Sequence, residues 1–111
     1  MKDWKHITSE LEIHDIIEAS KERPQIIFKD SITCGISAFA KERLIGGNEA
    51  MIAKANFNYL DLLKYRSLSS FIASELNVIH QSPQIIVLKE GKVVHTVTHH
   101  SIEPLKIATY L

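Results

Sequence analysis

Apart from Cys34 the chain has no cysteine. An internal disulfide is therefore excluded, and any thiol chemistry at Cys34 must pass through a mixed disulfide with another molecule. Long apolar runs are also missing. No stretch approaches the ~18 residues that span a bilayer, and Met1-Lys2-Asp3-Trp4-Lys5-His6 lacks the apolar stretch of a secretory signal. Neither sign of charge is in excess. Thirteen Lys and Arg balance thirteen Asp and Glu, so no global field draws the chain to nucleic acid or an anionic membrane, and neither is expected as a partner. Metal-ligand spacing is absent as well: His6, His14, His80, His95, His99 and His100 form no pattern such as His-x-x-x-His on a helix, so no metal site is expected. An unpaired cysteine without a signal segment points to a reducing, cytoplasmic setting.

What is present suits one globular domain over residues 1–111: 45% of the chain is apolar, enough to fill a single core. No repeat, linker or low-complexity stretch divides it. A short edge strand is expected around Lys5 to Thr8. Ser9 with Glu12 three residues on matches a capping box, followed by Leu11, Ile13, Ile16, Ile17 and Ala19 at roughly helical spacing up to about Ser20. Pro24 closes that helix, and Gln25-Ile26-Ile27-Phe28-Lys29 reads as a buried strand. The loop Asp30-Ser31-Ile32-Thr33 then leads to Cys34, where a second helix begins (Ile36, Phe39, Ala40, Leu44) and runs to Gly46-Gly47-Asn48.

Ala53, Ala55, Phe57 and Tyr59 alternate with Lys54, Asn56, Asn58 and Leu60 as a third strand. A helix from about Ser67 to Val78 and a strand Gln84 to Leu88 follow. Glu90-Gly91 signals a hairpin into Lys92 to Thr98, and Ser101 to Leu111 is a final helix with Leu105, Ile107 or Ala108, and Leu111 as its stripe. The order β-α-β-α-β-α-β-β-α predicts an α/β class, thioredoxin-like fold: a mixed sheet, partly parallel through its first three strands, with helices on both faces.

Cys34 opens the tetrad Cys34-Gly35-Ile36-Ser37 where strand turns into helix. A thiol there faces unpaired backbone N–H groups and the positive end of the helix dipole, which favour thiolate over thiol. Ser37, three places on, either donates its hydroxyl to the sulfur or bonds back to a carbonyl as an ordinary helix serine. Thr33 is a natural N-cap. Ser82-Pro83, just ahead of the penultimate strand, falls where thioredoxin-like proteins hold a cis-proline beside the active cysteine. A trans proline starting an edge strand is the other reading. Lys29, at the mouth of the loop, is read as solvated, with a source of positive potential near the sulfur as the other reading.

The stretch Phe28-Lys29-Asp30-Ser31-Ile32-Thr33-Cys34-Gly35-Ile36-Ser37-Ala38, with Leu63-Lys64-Tyr65-Arg66, His80-Gln81-Ser82-Pro83-Gln84 and Lys89-Glu90-Gly91-Lys92-Val93-Val94, resembles the monothiol bacilliredoxins over nearly the whole chain. Those proteins carry a Thr-Cys-Pro-Ile-Ser pentad, and here Gly35 stands in place of the proline. The resemblance implies a thiol–disulfide oxidoreductase that removes bacillithiol from protein cysteines through a Cys34-S-S-bacillithiol intermediate. It implies no tightly bound cofactor, with bacillithiol as co-substrate and bacillithiolated proteins as partners. Cys34 and Ser37 would be catalytic, and Thr33, Gly35, Ile36, Ser82 and Pro83 would bind the thiol substrate. Tyr65 and Arg66 either contact the malate group of bacillithiol or belong to a plain loop. The alternatives are a non-catalytic adaptor that docks a partner on the Cys34 and Pro83 surface, and a thiol redox sensor capped reversibly at Cys34.

Overall fold

The computed structural model describes residues 4–30, 35–46, 51, 54–98 and 102–111, with the backbone alone over 35–40. Its elements are β1 (Trp4–His6), α1 (Glu10–Ala19), β2 (Gln25–Asp30), α2 (Gly35–Gly46), β3 (Asn56–Asp61), α3 (Arg66–Leu76), β4 (Gln84–Lys89), β5 (Lys92–Thr98) and α4 (Pro104–Ala108). The expected order is met. The strands form one sheet in the order β1-β3-β2-β4-β5. β3 runs parallel to both β1 and β2, whereas β4 is antiparallel to β2 and to β5, so the sheet is mixed as the pattern required.

Local signals place the ends of the elements. Ser9 caps α1, its Oγ accepting from the Glu12 backbone N–H at 3.3 Å. The Glu12 carboxylate in turn accepts from the Thr8 backbone N–H at 3.2 Å, one residue earlier than the usual capping box. The turn from β4 to β5 holds Glu90 at φ 56° and Gly91 at φ 78°, the paired left-handed conformation that matches the twist of a tight hairpin. Gly91 takes this shape without the Cβ penalty, and its N–H donates to Ser20 Oγ at 2.9 Å, which ties the hairpin to the end of α1.

Strand alternation sorts the side chains into two cores. On one face Trp4, Ile26, Phe28, Phe57, Tyr59, Ile85 and Val87 pack with Leu44 of α2 and Ile107 of α4. On the other, Ile27, Leu60, Ile86 and Leu88 pack with Ile13 and Ile16 of α1 and with Leu68 and Ile72 of α3. Covering both faces explains why β2 is buried along its whole length. Leu11 departs from the expected stripe of α1: it is exposed because it lies ~200° around the helix from Ile13 at ~100° per residue. Leu105 likewise faces out while Ile107 is buried, so the final helix buries a narrower stripe than its sequence suggested.

Candidate functional site

The site is built where β2 ends. Lys29 is the last residue of β2 paired with β4, and its partner is Gln84. Continuing that antiparallel register sets Pro83 beside Asp30. The Ser82–Pro83 peptide bond is cis, as the resemblance implied. Pro83 is buried, and Ser82 is half-buried with its Oγ unpartnered among the described residues. On the other side of this junction Gly35 begins α2. Thr33 and Cys34 lie outside the described residues, and of Gly35, Ile36 and Ser37 the helical backbone alone is described.

Asp30, expected to open the loop, is instead the final residue of β2 and is 1% exposed. Alternation sends it to the face of Phe28. There Oδ2 accepts the Tyr59 hydroxyl proton and lies 3.7 Å from Lys41 Nζ, which reaches over from α2 and also sits 5.0 Å from the centre of the Tyr59 ring. Burial, then the bond to Asp30, push the Tyr59 hydroxyl above its ordinary pKa. Oδ1 of Asp30 has no partner among the described residues.

The expectation for Lys29 is corrected. It is not solvated but 0% exposed, because alternation turns it to the opposite face, under α3. Its Nζ donates to the Ser69 carbonyl at 3.3 Å and lies 3.4 Å from His80 Nδ1, which is itself 3.1 Å from Ser69 Oγ. Burial pushes the Lys29 ammonium down to about 8. Burial, then the Lys29 charge, lower the pKa of His80. A lysine in step with Ile27 on a strand of apolar neighbours was the available signal for this cluster. Its partners, 40 and 51 residues further on, could not be read from spacing.

Between pH 8 and 10.5 the unfolded chain holds a proton that folded Lys29 has released, so this group makes stability rise with pH across that window. Below it both states are charged and the cost of burial is constant, on the order of 3 kcal/mol. Lys29→Met is therefore expected to be more stable than the parent at pH 7, with the gap closing as the pH approaches 10. Urea denaturation of both proteins at a series of pH values checks this, and a gap independent of pH would refute it.

Tyr65 and Arg66 separate in the structure. Arg66 is exposed at the start of α3. Tyr65 is half-buried and, with His6, Thr8, Tyr59, Asp61 and Lys64, lines a cavity of about 260 Å³ at the carboxyl ends of β1 and β3. Asp61 pairs with Asp30, so this cavity opens at the end of the sheet where β2 terminates. A cavity of about 510 Å³, lined by Lys5, Arg23, Gln25 and Asn56 among others, lies at the opposite end of β2 and β3 and is remote from it. Among the described residues no group of three His, Cys, Asp or Glu can hold a metal ion, and no helix is long and apolar enough to cross a membrane.

This sheet, with a cis-proline set against the strand that leads into α2, defines a thioredoxin-fold redox protein. A thioredoxin-fold protein proposed to be an oxidoreductase superimposes with a TM-score of 0.83 and 28% identity, covering 98% of this chain and 94% of that one. Thioredoxin from Trypanosoma brucei brucei gives 0.73 at 17% identity over 96% of this chain and 86% of its own, a likeness of fold. Within that class, residues 5–107 match the family Monothiol bacilliredoxin BrxC, and the chain belongs to the monothiol bacilliredoxin family. The chain is also 30% identical over 87 residues to the mitochondrial iron-sulfur clusters transporter ABCB7 of Homo sapiens, covering 78% of this chain and 10% of that protein. It spans about a tenth of these curated relatives, too little to convey their activity.

Proposed function

We propose that the protein is a monothiol oxidoreductase that removes bacillithiol from protein cysteines, with Cys34 as nucleophile. The observation that carries the reading is the register of β2 against β4: it sets cis Ser82–Pro83 beside Asp30, four residues ahead of Cys34, while α2 starts one residue after it. In this reading the first turn of α2 offers Cys34 its unpaired N–H groups and favours the thiolate. Thr33 caps the helix and Ser37 donates to the sulfur. Gly35, in place of proline, leaves the turn less preorganised.

The Cys34 thiolate attacks the bacillithiol sulfur of the mixed disulfide. The old S–S bond breaks as the Cys34–bacillithiol bond forms, and the substrate cysteine leaves as a thiolate that takes a proton from water. A bacillithiol thiolate then attacks the bacillithiol sulfur of the adduct, giving bacillithiol disulfide and free Cys34. The backbone of Ser82 pairs with the incoming thiol in the manner of a strand, and Pro83 and Ile36 belong to the same thiol-binding set. His6, Lys64 and Tyr65, lining the cavity at the ends of β1 and β3, suit the malate carboxylates.

Incubation with bacillithiol disulfide, followed by intact-mass measurement, is expected to add one bacillithiol to the protein, at Cys34 by peptide mapping. A folded protein that keeps its thiol free would overturn the reading.

A further inference from the structure

Residues 77–83 join α3 to β4 and end in the Ser82–Pro83 bond. Apolar contact anchors the ends of this segment, through half-buried Val78 packed against the core of α1 and α3 and through buried Pro83, while Ile79 between them is 82% exposed. Polar contacts hold the stretch between. Asn77 closes α3 in the left-handed conformation, Gln84 Nε2 donates to the Ile79 carbonyl at 3.0 Å, and His80 Nδ1 meets Ser69 Oγ and Lys29 Nζ.

Of these, the Lys29 contact is the costly one. Among the described residues no carboxylate pairs with Lys29, and a buried ammonium held by neutral acceptors alone is less favourable than an apolar side chain of similar length. Packing against α3 asks only for the stem. The head contributes something a methionine would not: it fastens β2, the strand that leads to Cys34, to both α3 and the segment that leads to Ser82.

We propose that Lys29 and His80 are positioning residues for disulfide exchange, joined through Ser69 so that the Ser82 backbone stays aligned with the Cys34 turn. The contact requires His80 neutral, with its proton on Nε2 and its Nδ1 lone pair shared by the two donors. This inference rests on the reading of Cys34 as nucleophile and of Ser82 as the edge on which the disulfide aligns.

Two reactions of Cys34 separate alignment from reactivity. Alkylation by iodoacetamide needs the thiolate alone, whereas exchange with bacillithiol disulfide also needs alignment. Lys29→Met and His80→Phe are each expected to slow exchange about tenfold while alkylation stays within about twofold of the parent. His80→Asn, whose side-chain oxygen can take the place of Nδ1, is expected to recover most of the exchange rate. His80 is exposed overall, so its two variants carry the test if Lys29→Met fails to fold.

Folded variants that exchange at the parental rate would overturn the inference, as would alkylation falling in step with exchange, or no recovery in His80→Asn. A parent protein that alkylates yet exchanges with no disulfide would overturn the underlying reading and this inference together.

Discussion

Cys34→Ser is expected to lower the turnover of a bacillithiolated substrate protein on the order of 10³-fold or more, the scale on which loss of a covalent nucleophile is felt. The chain has no second cysteine, so no neighbouring sulfur can take over. A serine oxygen cannot form a mixed disulfide, and its hydroxyl is hardly ionised near neutral pH, so the helix N-terminus that favours a thiolate gives serine little nucleophilicity. The fold should persist, because among the described residues both cores and all four strand pairings are already made. Circular dichroism together with a coupled assay on the substrate protein measures both effects. Turnover retained in folded Cys34→Ser would move the chemistry off this residue. Binding of the substrate protein retained while turnover is lost would separate docking from catalysis.

Phe28→Ala is expected to cost about 3 to 5 kcal/mol of stability, which lowers the thermal midpoint by roughly 10 to 25 °C in a domain of this size. Phe28 is fully buried at the centre of the sheet, paired with Tyr59 of β3 and Ile85 of β4. Its ring meets Trp4 edge-on at 5.8 Å and Tyr59 at 5.9 Å. Truncation leaves a void that strand backbones on both sides cannot close, and aromatic contact is lost in addition to buried area. Because Tyr59 also donates to Asp30, the void lies next to the buried polar pair at the end of β2. Phe28→Leu, which refills most of the volume, should recover most of the loss. Calorimetric unfolding checks both variants, and a loss below about 1 kcal/mol for Phe28→Ala would show that the ring is not packed at this depth.

Much of the architecture is legible in local pattern. Ser9 and Glu12 mark the start of α1, Glu90-Gly91 marks the hairpin, and Gln84 to Leu88 is apolar enough to be a central strand, because capping, turn conformation and strand burial depend on residues a few positions apart. The misplaced side chains have local causes as well. Hydrophobicity alone puts Leu11 in the buried stripe, yet the 3.6-residue period turns it away from Ile13 and Ile16. The candidate site is legible in part: the tetrad at Cys34 and the Ser82-Pro83 dipeptide are both visible in the sequence, and the geometry puts the second beside the end of the strand that leads to the first.

Lys29 shows where such reading stops. Its charge suggests solvent, but burial is decided by α3 lying over β2, and its contacts come from Ser69 and His80, far along the chain. Asp30 is similar: a loop residue by composition, it becomes a buried acceptor once Tyr59 and Lys41 converge on it. The sequence by itself determined the class of fold, the single thiol that excludes an internal disulfide, and the family that the Cys34 and Ser82-Pro83 motifs indicate. Only the tertiary structure decided which charges are buried and what they touch. Periodicity and capping are encoded over a few residues, whereas the environment of a side chain depends on strand register and helix packing between segments tens of residues apart.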